Sequence, residues 1–559
     1  MMKTFKTLRE AKRGKEAKVW HDGIAIYFPF DRDTLAKVKT LIGRKYHGDG
    51  KVKYWTCPIS LDSIENLIKW GFKIDDELQK TLDRLLKKID IDVTNLADTE
   101  VKGFKKKLRP FQKKALTFID LNGGRALIAD DMGLGKTIEA LAWLQLHPKR
   151  RPAVVVCPAS VKMNWVQEIE QCMTSRFTFE IAKGKTPWRI SSNTEIVMIN
   201  YDILDAWLKA LFAWKPVVVI ADEAHKFKNN KAARTVSMKS LVKKVKYFIP
   251  MTGTPIQNRP MEIYNAVNMV DRTLFPSRFE FGKRYCAGHH DGYGWNFKGA
   301  SNIEELHKKL TSTIMLRRTK EEVLPELPPK VRSFVPIELN NRKEYSAVER
   351  DLVKFINGEV EVDIDNLDST LKGKPTQVEI LAKIEYLKQA TIKGKMDSVI
   401  EWIRDAIETN GKLVVFAIHK IVIDRLTKEF GDAAIKIDGS VPPSKRQEIV
   451  NKFQNDPKLK LFVGNIVAAG EGITLTAACN VAVIELPWTP GALEQAIDRL
   501  HRIGQMFCVN VWFLLAMKTI EMDIAQLLDG KKKVVSAVTD GVVVSEESLI
   551  AELINKFKQ

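Results

Sequence analysis

A chain of 559 residues exceeds what one hydrophobic core organises, so three or four domains are expected. A composition of 45% hydrophobic and 28% charged residues excludes a disordered polymer, and no apolar run approaches the ~18 residues of a membrane-spanning helix. Lys and Arg outnumber Asp and Glu by 89 to 69, a net charge of +20, which favours a polyanionic partner, nucleic acid before membrane.

The first residues lack the apolar core of a secretion signal, and Glu10 and Glu16 weigh against a transit peptide. Six scattered cysteines without a C-x-x-C pair fit a reducing compartment. The expected location is the cytoplasm or nucleoid of a bacterium or virus, or the nucleus of a eukaryote.

Residues 17–60 predict short β segments around one helix, with Asp31 or Asp33 as its cap. In this basic module (1–75), Arg44, Lys45, Lys51 and Lys53 interleave with Tyr46, Tyr54 and Trp55, a mixture suited to phosphate contact and base stacking. The same pattern also fits a small β-rich core holding Phe28 and Trp55. A largely helical, charged connector follows over 76–107.

From 108 the texture changes. "RALIAD", "AVVVCP", "EIVMIN" and "PVVVIADE" are apolar runs separated by helical spacing, as in a parallel sheet covered on both faces. The pattern lapses over about 331–395, which predicts an irregular linker. It resumes with "KLVVFAI", "AAIKIDG", "KLFVGN", "NVAVIEL" and "VNVWFLLA". The fold class is therefore α/β, two parallel-sheet lobes in tandem behind a small α+β module.

Within the first lobe, "ADDMGLGKTIEA" (129–140) follows an apolar strand and opens a helix, the context a phosphate-binding loop requires. Asp130 stands where the general pattern has glycine. The amides of 133–137 would cradle phosphates, Lys136 would bridge the β and γ phosphates, and Thr137 would hold magnesium. "VVVIADEAHKF" sets Asp222 to hold the metal shell and Glu223 to accept a proton from water, on a strand expected beside that of the loop. In "EQAIDRLHRIGQ", helical spacing would place Gln495, Arg499 and Arg502 on one face, offering a positive group from the second lobe. Cys286, His289 and His290 tempt a zinc reading, but no second pair lies near. A loop with a half-buried cysteine, and no metal cluster, is expected.

Together these segments resemble helicase superfamily 2 ATPases, specifically the Swi/Snf-type DNA translocases. "LRPFQKKAL" is similar to the adenine-reading segment, with Arg109 and Gln112. "DDMGLGKT" is this group's own phosphate loop and carries Asp131, Met132, Gly133, Leu134 and Gly135. "MTGTPIQN", "MLRRTKEEVLPELPPK", "AAGEGITLTAA" and "DGKKKVVSAVTDG" follow in the family's order. The resemblance implies RecA-like lobes at 108–330 and 396–530, a linker or protrusion at 331–395 and a closing helix at 531–559. It also implies DNA contacts at Ser160, Lys162, Thr474 and Thr476. Glu471 and His419 depart from the family, which often has glycine and glutamine there. The short interval before "KLVVFAI" and an N-terminal stretch that looks like a HARP-type module, with Arg44, Lys53 and Trp55 toward DNA, lean toward the annealing-helicase branch. The implied activity is duplex-DNA-stimulated hydrolysis of ATP with Mg2+, driving translocation, annealing or remodelling of branched DNA. A strand-separating helicase on DNA or RNA, and a nucleotide-gated DNA binder without turnover, are the alternatives.

Overall fold

The computed structural model describes residues 14–21, 23–48, 53–86, 96–173, 177–256, 259–357, 377–469, 472–526 and 528. Lys51, Glu471 and the expected closing helix at 531–559 lie outside them.

The amino-terminal module is a five-stranded sheet. Its strands are β1 (Glu16–Trp20), β2 (Gly23–Tyr27), β3 (Lys45–His47), β4 (Tyr54–Pro58) and β5 (Lys73–Ile74), ordered β3-β4-β2-β1-β5. All pairs are antiparallel except β1 with β5. Asp31 caps the helix Arg32–Val38 by accepting from the Thr34 amide at 2.9 Å. Ile24, Ile26, Val38, Ile64 and Leu67 form its closed core.

The first lobe carries β6 (Leu127–Ile128), β7 (Ala153–Cys157), β8 (Phe179–Ile181), β9 (Ile196–Asn200), β10 (Val218–Asp222) and β11 (Tyr247–Met251). A short hairpin, β12 (His289–His290) with β13 (Trp295–Asn296), stands apart, and β14 (Met315–Leu316) returns to the main sheet. The order is β14-β6-β11-β10-β7-β9-β8, parallel throughout. The fully buried runs of Val and Ile in β7, β9 and β10 follow from burial on both faces.

The second lobe holds β15 (Lys330–Ile337), β16 (Leu413–Ala417), β17 (Ala434–Ile437), β18 (Leu461–Asn465), β19 (Asn480–Val483) and β20 (Val509–Ala516). They are ordered β15-β20-β19-β16-β18-β17, again parallel. Here the structure corrects the expected linker at 331–395. β15 pairs with β20 along eight residues, so the second sheet begins at Lys330. Residues 377–410 form one helix of 34 residues packed on that sheet. β15 escaped sequence reading because, as an edge strand, most of its residues are at least partly exposed and it lacks the continuous apolar run of its neighbours.

A candidate nucleotide site between two lobes

The loop after β6 turns twice through left-handed backbone, at Gly133 (φ +85°) and Gly135 (φ +87°), and the helix Lys136–Leu146 starts directly behind it. Only glycine suits these turns without strain. A Cβ on Gly133 would lie 2.6 Å from Cβ of Arg502, and one on Gly135 would lie 2.5 Å from Nε2 of Gln112. The loop is therefore pressed between the second lobe and the helix Pro110–Leu121.

Asp130 is fully buried and has a specific partner. Arg318 Nε donates to its Oδ1 at 3.1 Å, and a second Arg318 nitrogen pairs with its Oδ2. The same guanidinium reaches Glu139 Oε1 at 3.1 Å and the Phe111 carbonyl. Arg317 pairs with Asp131 Oδ1 at 2.7 Å and donates to the Ala129 carbonyl at 2.8 Å. Two consecutive arginines thus strap the loop, and Asp130 is the anchor of the strap. Burial and the Asp130 charge push the Glu139 carboxyl up to about 8, even against Arg318.

Gln112 lies beneath the loop. Its Nε2 donates to the Leu134 carbonyl at 3.0 Å, and its Oε1 accepts from the Arg109 amide at 3.0 Å. Arg109 turns its side chain outward to Glu326. Lys136 folds back, donating to the carbonyls of Asp130 and Asp131 at 2.6 and 2.9 Å, and burial lowers its pKa. Thr137 is half-buried in the first helical turn. Met132 packs across Gly253, where an added Cβ would meet it at 2.3 Å.

β10 delivers the acids, but it does not neighbour β6 as expected. β11 lies between them, which brings Thr252 and Gly253 between the phosphate loop and the acids. Asp222 Oδ2 accepts from Trp165 Nε1 at 3.0 Å, and burial together with the Glu223 charge raises its pKa to about 6. Glu223 sits in left-handed backbone (φ 53°), a strained conformation for a residue with a side chain. Burial alone would raise its pKa, but His225, Arg499 and Lys136 hold it down at about 2. His225 Nδ1 lies 3.2 Å from both Glu223 Oε2 and Thr252 Oγ1. Among the described residues the buried Thr254 hydroxyl has no hydrogen bond, and an incoming polar group would satisfy it.

The third constellation is present in another form. The helix Pro490–Ile497 ends before either arginine, so Arg499 and Arg502 sit on the following turns rather than on one helical face. The turns still converge on the loop. Gln495 Nε2 donates across the lobes to Glu223 Oε1 at 3.1 Å. Arg502 donates to Thr474 Oγ1 at 2.9 Å and the Ile473 carbonyl at 3.1 Å, and burial beside Arg499 lowers its pKa to about 10. Lys320 of the strap pairs with Asp498 at 2.9 Å, directly before Arg499. A cavity of about 880 Å³ opens at this junction, between Met132 and Thr254 on one side and Glu494 and His501 on the other.

The expected DNA contacts fare unevenly. Lys162 is buried, and its ammonium donates to the Ala182 carbonyl and Asn200 Oδ1, both at 2.7 Å. It ties its helix to the sheet and is not presented to a phosphate, which corrects the expectation. Ser160 is half-buried at an interlobe contact, where Asn164 donates to the Gly472 carbonyl. Thr474 is bonded to Arg502, and Thr476 accepts from Gln454 at 3.3 Å. In the amino-terminal module Trp55 is half-buried, packing on the core and against exposed Tyr46 with ring centroids 5.2 Å apart. Arg44 bonds the Leu41 carbonyl at 3.3 Å, and Lys53 is exposed. Cys286 is fully buried in the apolar core, whereas His289 and His290 are exposed on the hairpin, so the three do not converge. The roles of Arg317, Arg318, Lys320, His225 and Trp165 were not assigned from sequence; the "MLRRTK" run was the visible signal for the first three.

Comparison with known proteins gives this geometry its relatives. The SNF2-related domain family matches residues 66–394, and the helicase conserved C-terminal domain matches 394–504. The DNA annealing helicase and endonuclease ZRANB3 of Homo sapiens is 35% identical over 83% of this chain and 43% of its own length. The SWI/SNF-related matrix-associated actin-dependent regulator of chromatin subfamily A-like protein 1 of Xenopus laevis is 34% identical over 82% of this chain and 46% of its own. The chain thus spans under half the length of these two relatives. Among solved structures, the Sulfolobus solfataricus SWI2/SNF2 ATPase core in complex with dsDNA is 28% identical, with a TM-score of 0.38. That match covers 80% of this chain and 96% of the other. With its phosphate loop, arginine strap and most of its second lobe falling inside the matched segments, the chain belongs to the SNF2-related family of helicase-type, nucleotide-using proteins.

Proposed function

We propose that this protein is an ATP-dependent double-stranded DNA translocase that anneals or remodels branched DNA in repair or replication. The observation that carries the reading is the Gln495–Glu223 hydrogen bond, 3.1 Å across the interlobe cleft. The carboxylate that would orient water belongs to one lobe, and the groups that complete its surroundings belong to the other. Turnover is then tied to lobe closure, and lobe closure to movement along DNA.

Lys136 and the loop amides would hold the phosphates of ATP, and Thr137 and Asp222 would hold Mg2+. The ion would supply positive charge against the phosphates. Glu223, charged at neutral pH, is placed to take the proton of an attacking water. Arg499 and Arg502 bring positive charge from the second lobe. The exposed edge strand β3, with Lys45 and Tyr46 beside Trp55, is suited to DNA contact by the amino-terminal module. The likeness to ZRANB3 supports an annealing role, and work on DNA would place the protein in a nucleus or beside a nucleoid.

The test is steady-state ATP hydrolysis without DNA and with single-stranded, duplex and forked DNA and RNA, beside Lys136→Ala. Stimulation by duplex or fork, lost in the variant, supports the reading. Stimulation confined to single strands or RNA replaces it with an unwinding helicase, and no turnover with any of them replaces it with a nucleotide-gated binder.

A further inference from the structure

The first lobe has a second cationic site at the end opposite the phosphate loop. Arg125 precedes β6 and Val245 precedes β11, so this pocket lies at the amino ends of strands whose carboxyl ends form the nucleotide site. It has a volume of about 700 Å³. Its walls carry Arg125, Lys239, Lys243, Arg272 and Arg278, against a single carboxylate, Asp271.

That carboxylate is engaged locally, accepting from the Thr273 amide and hydroxyl at 2.9 and 2.6 Å. Arg125 is committed to the floor, donating to the carbonyls of Val270 at 3.1 Å, Lys246 at 3.3 Å and Met269. The Lys243 and Arg278 side chains make no hydrogen bond or ion pair among the described residues. Cations at the carboxyl ends of helices complement the helix dipole, and Lys239 is placed so in the helix Ala233–Val242. Arg278 is not. It opens the helix Arg278–Tyr285, the end at which a positive charge is disfavoured. Burial, then repulsion from Arg278 and Lys243, lowers the pKa of Lys239. Like charges held together in a concave, partly desolvated site raise its affinity for an anion.

We propose that this pocket binds a phosphate group, supplied by the backbone of DNA that lies outside the interlobe track. The ligand chemistry is an oxyanion held by Lys239, Lys243 and Arg278 above the fixed guanidinium of Arg125. A free polyphosphate offers the same chemistry from another source. The DNA source rests on the proposed DNA-translocase function; the phosphate site itself does not.

The experiment uses the full chain carrying Lys239→Gln with Arg278→Gln, which leaves Arg125 in place. Binding of forked DNA is measured across a salt series. Losing two phosphate contacts lowers the slope of log K against log salt by about 2, while the DNA-saturated hydrolysis rate stays unchanged. A second arm heats the Lys136→Ala protein, whose phosphate loop is disabled, with and without inorganic tripolyphosphate. The expected rise in Tm disappears when the two pocket substitutions are added. A changed slope supports the site with DNA as its source. An unchanged slope with a lost tripolyphosphate shift supports the site with a small anion. An unchanged slope with an unchanged shift overturns it. Without ligand, the double variant melts no lower than the parent, because it relieves repulsion; a lower Tm would mark the cations as structural and also overturn the proposal.

Discussion

Arg318 and Asp130, 188 residues apart in sequence, meet as a buried ion pair beneath the phosphate loop. The pair joins the edge strand β14 to the strand that carries the loop, and Glu139 closes it into a triad. A residue that looks like a defect in the general phosphate-loop pattern is therefore its fastening.

Asp130→Gly restores the general glycine and is expected to harm the protein. It removes the main counter-charge of the buried Arg318 and leaves it only Glu139, a class of change that costs about 3–5 kcal/mol. The urea midpoint of the full chain should fall accordingly. Asp130→Gly combined with Arg318→Met should recover much of the loss, because both charges then leave together. An unchanged midpoint in the single variant would show that the pair does not hold the loop.

Arg499→Ala tests the contribution of the second lobe to turnover. Arginines supplied to a phosphoryl-transfer site are worth about 10³–10⁵ in rate. DNA-stimulated hydrolysis should fall by at least 10³-fold, at the lower end of that range, while the urea midpoint changes little. Gln495→Ala should produce a milder loss in rate, since it removes one neutral hydrogen bond to Glu223. Equal losses in the two variants would mean that lobe docking, rather than arginine charge, is what the turn provides.

The parts of the site legible in sequence were those in which chemistry fixes both residue type and short spacing. Gly133, Gly135, Lys136 and the Asp222–Glu223 pair are of this kind, and the structure brings them together. What escaped depends on contacts between distant segments. The Arg318–Asp130 pair spans 188 positions, and no local pattern encodes it. Lys162 failed as a DNA contact because a lysine on a motif carries no sign of whether its ammonium meets water or, as here, two buried oxygens. Helical spacing from Gln495 to Arg502 implied one face, but the helix stops at Ile497 and tertiary contacts set the rest. β15 was hidden because an edge strand needs no continuous apolar run.

Lys395 shows the same gap between pattern and contact. It lies at the end of the stretch expected to be a linker, yet it is wholly buried in the second lobe. Its ammonium pairs with Glu521 at 2.6 Å and donates to the Leu514 carbonyl at 2.9 Å and to the Ile484 carbonyl. It thereby joins the long helix Gln377–Asn410 to β20 and to the segment that follows β19. Lys395→Ala should destabilise by about 3–5 kcal/mol, because Glu521 stays buried and unpaired. Lys395→Met with Glu521→Gln should be milder. Chemical denaturation of the native chain, Lys395→Met, Glu521→Gln and the double variant measures the coupling directly, and additive losses would refute a shared ion pair.

His419, one of the departures from the family pattern, should make stability depend on alkaline pH. Its Nε2 lies 2.8 Å from Glu385 on the long helix, and its Nδ1 meets the buried Glu485. Hydrogen bonds to Glu385 and Glu485 raise its pKa to about 9, against a smaller effect of burial. Among the described residues, Lys388, 3.4 Å from Glu385, competes with His419 for that carboxylate. Because the folded value lies above the ordinary ~6.5 of histidine, the stabilisation is complete below that pH and is lost as pH rises through about 9. A gap of this size corresponds to at most about 3 kcal/mol, and partial exposure of Glu385 reduces it. The urea midpoint of the native chain should therefore drop between pH 6.5 and 9.5. In His419→Gln, which carries the family's common residue, the drop should be shallower over the same interval. An equal drop in both proteins would place the alkaline sensitivity elsewhere and remove His419 as its origin.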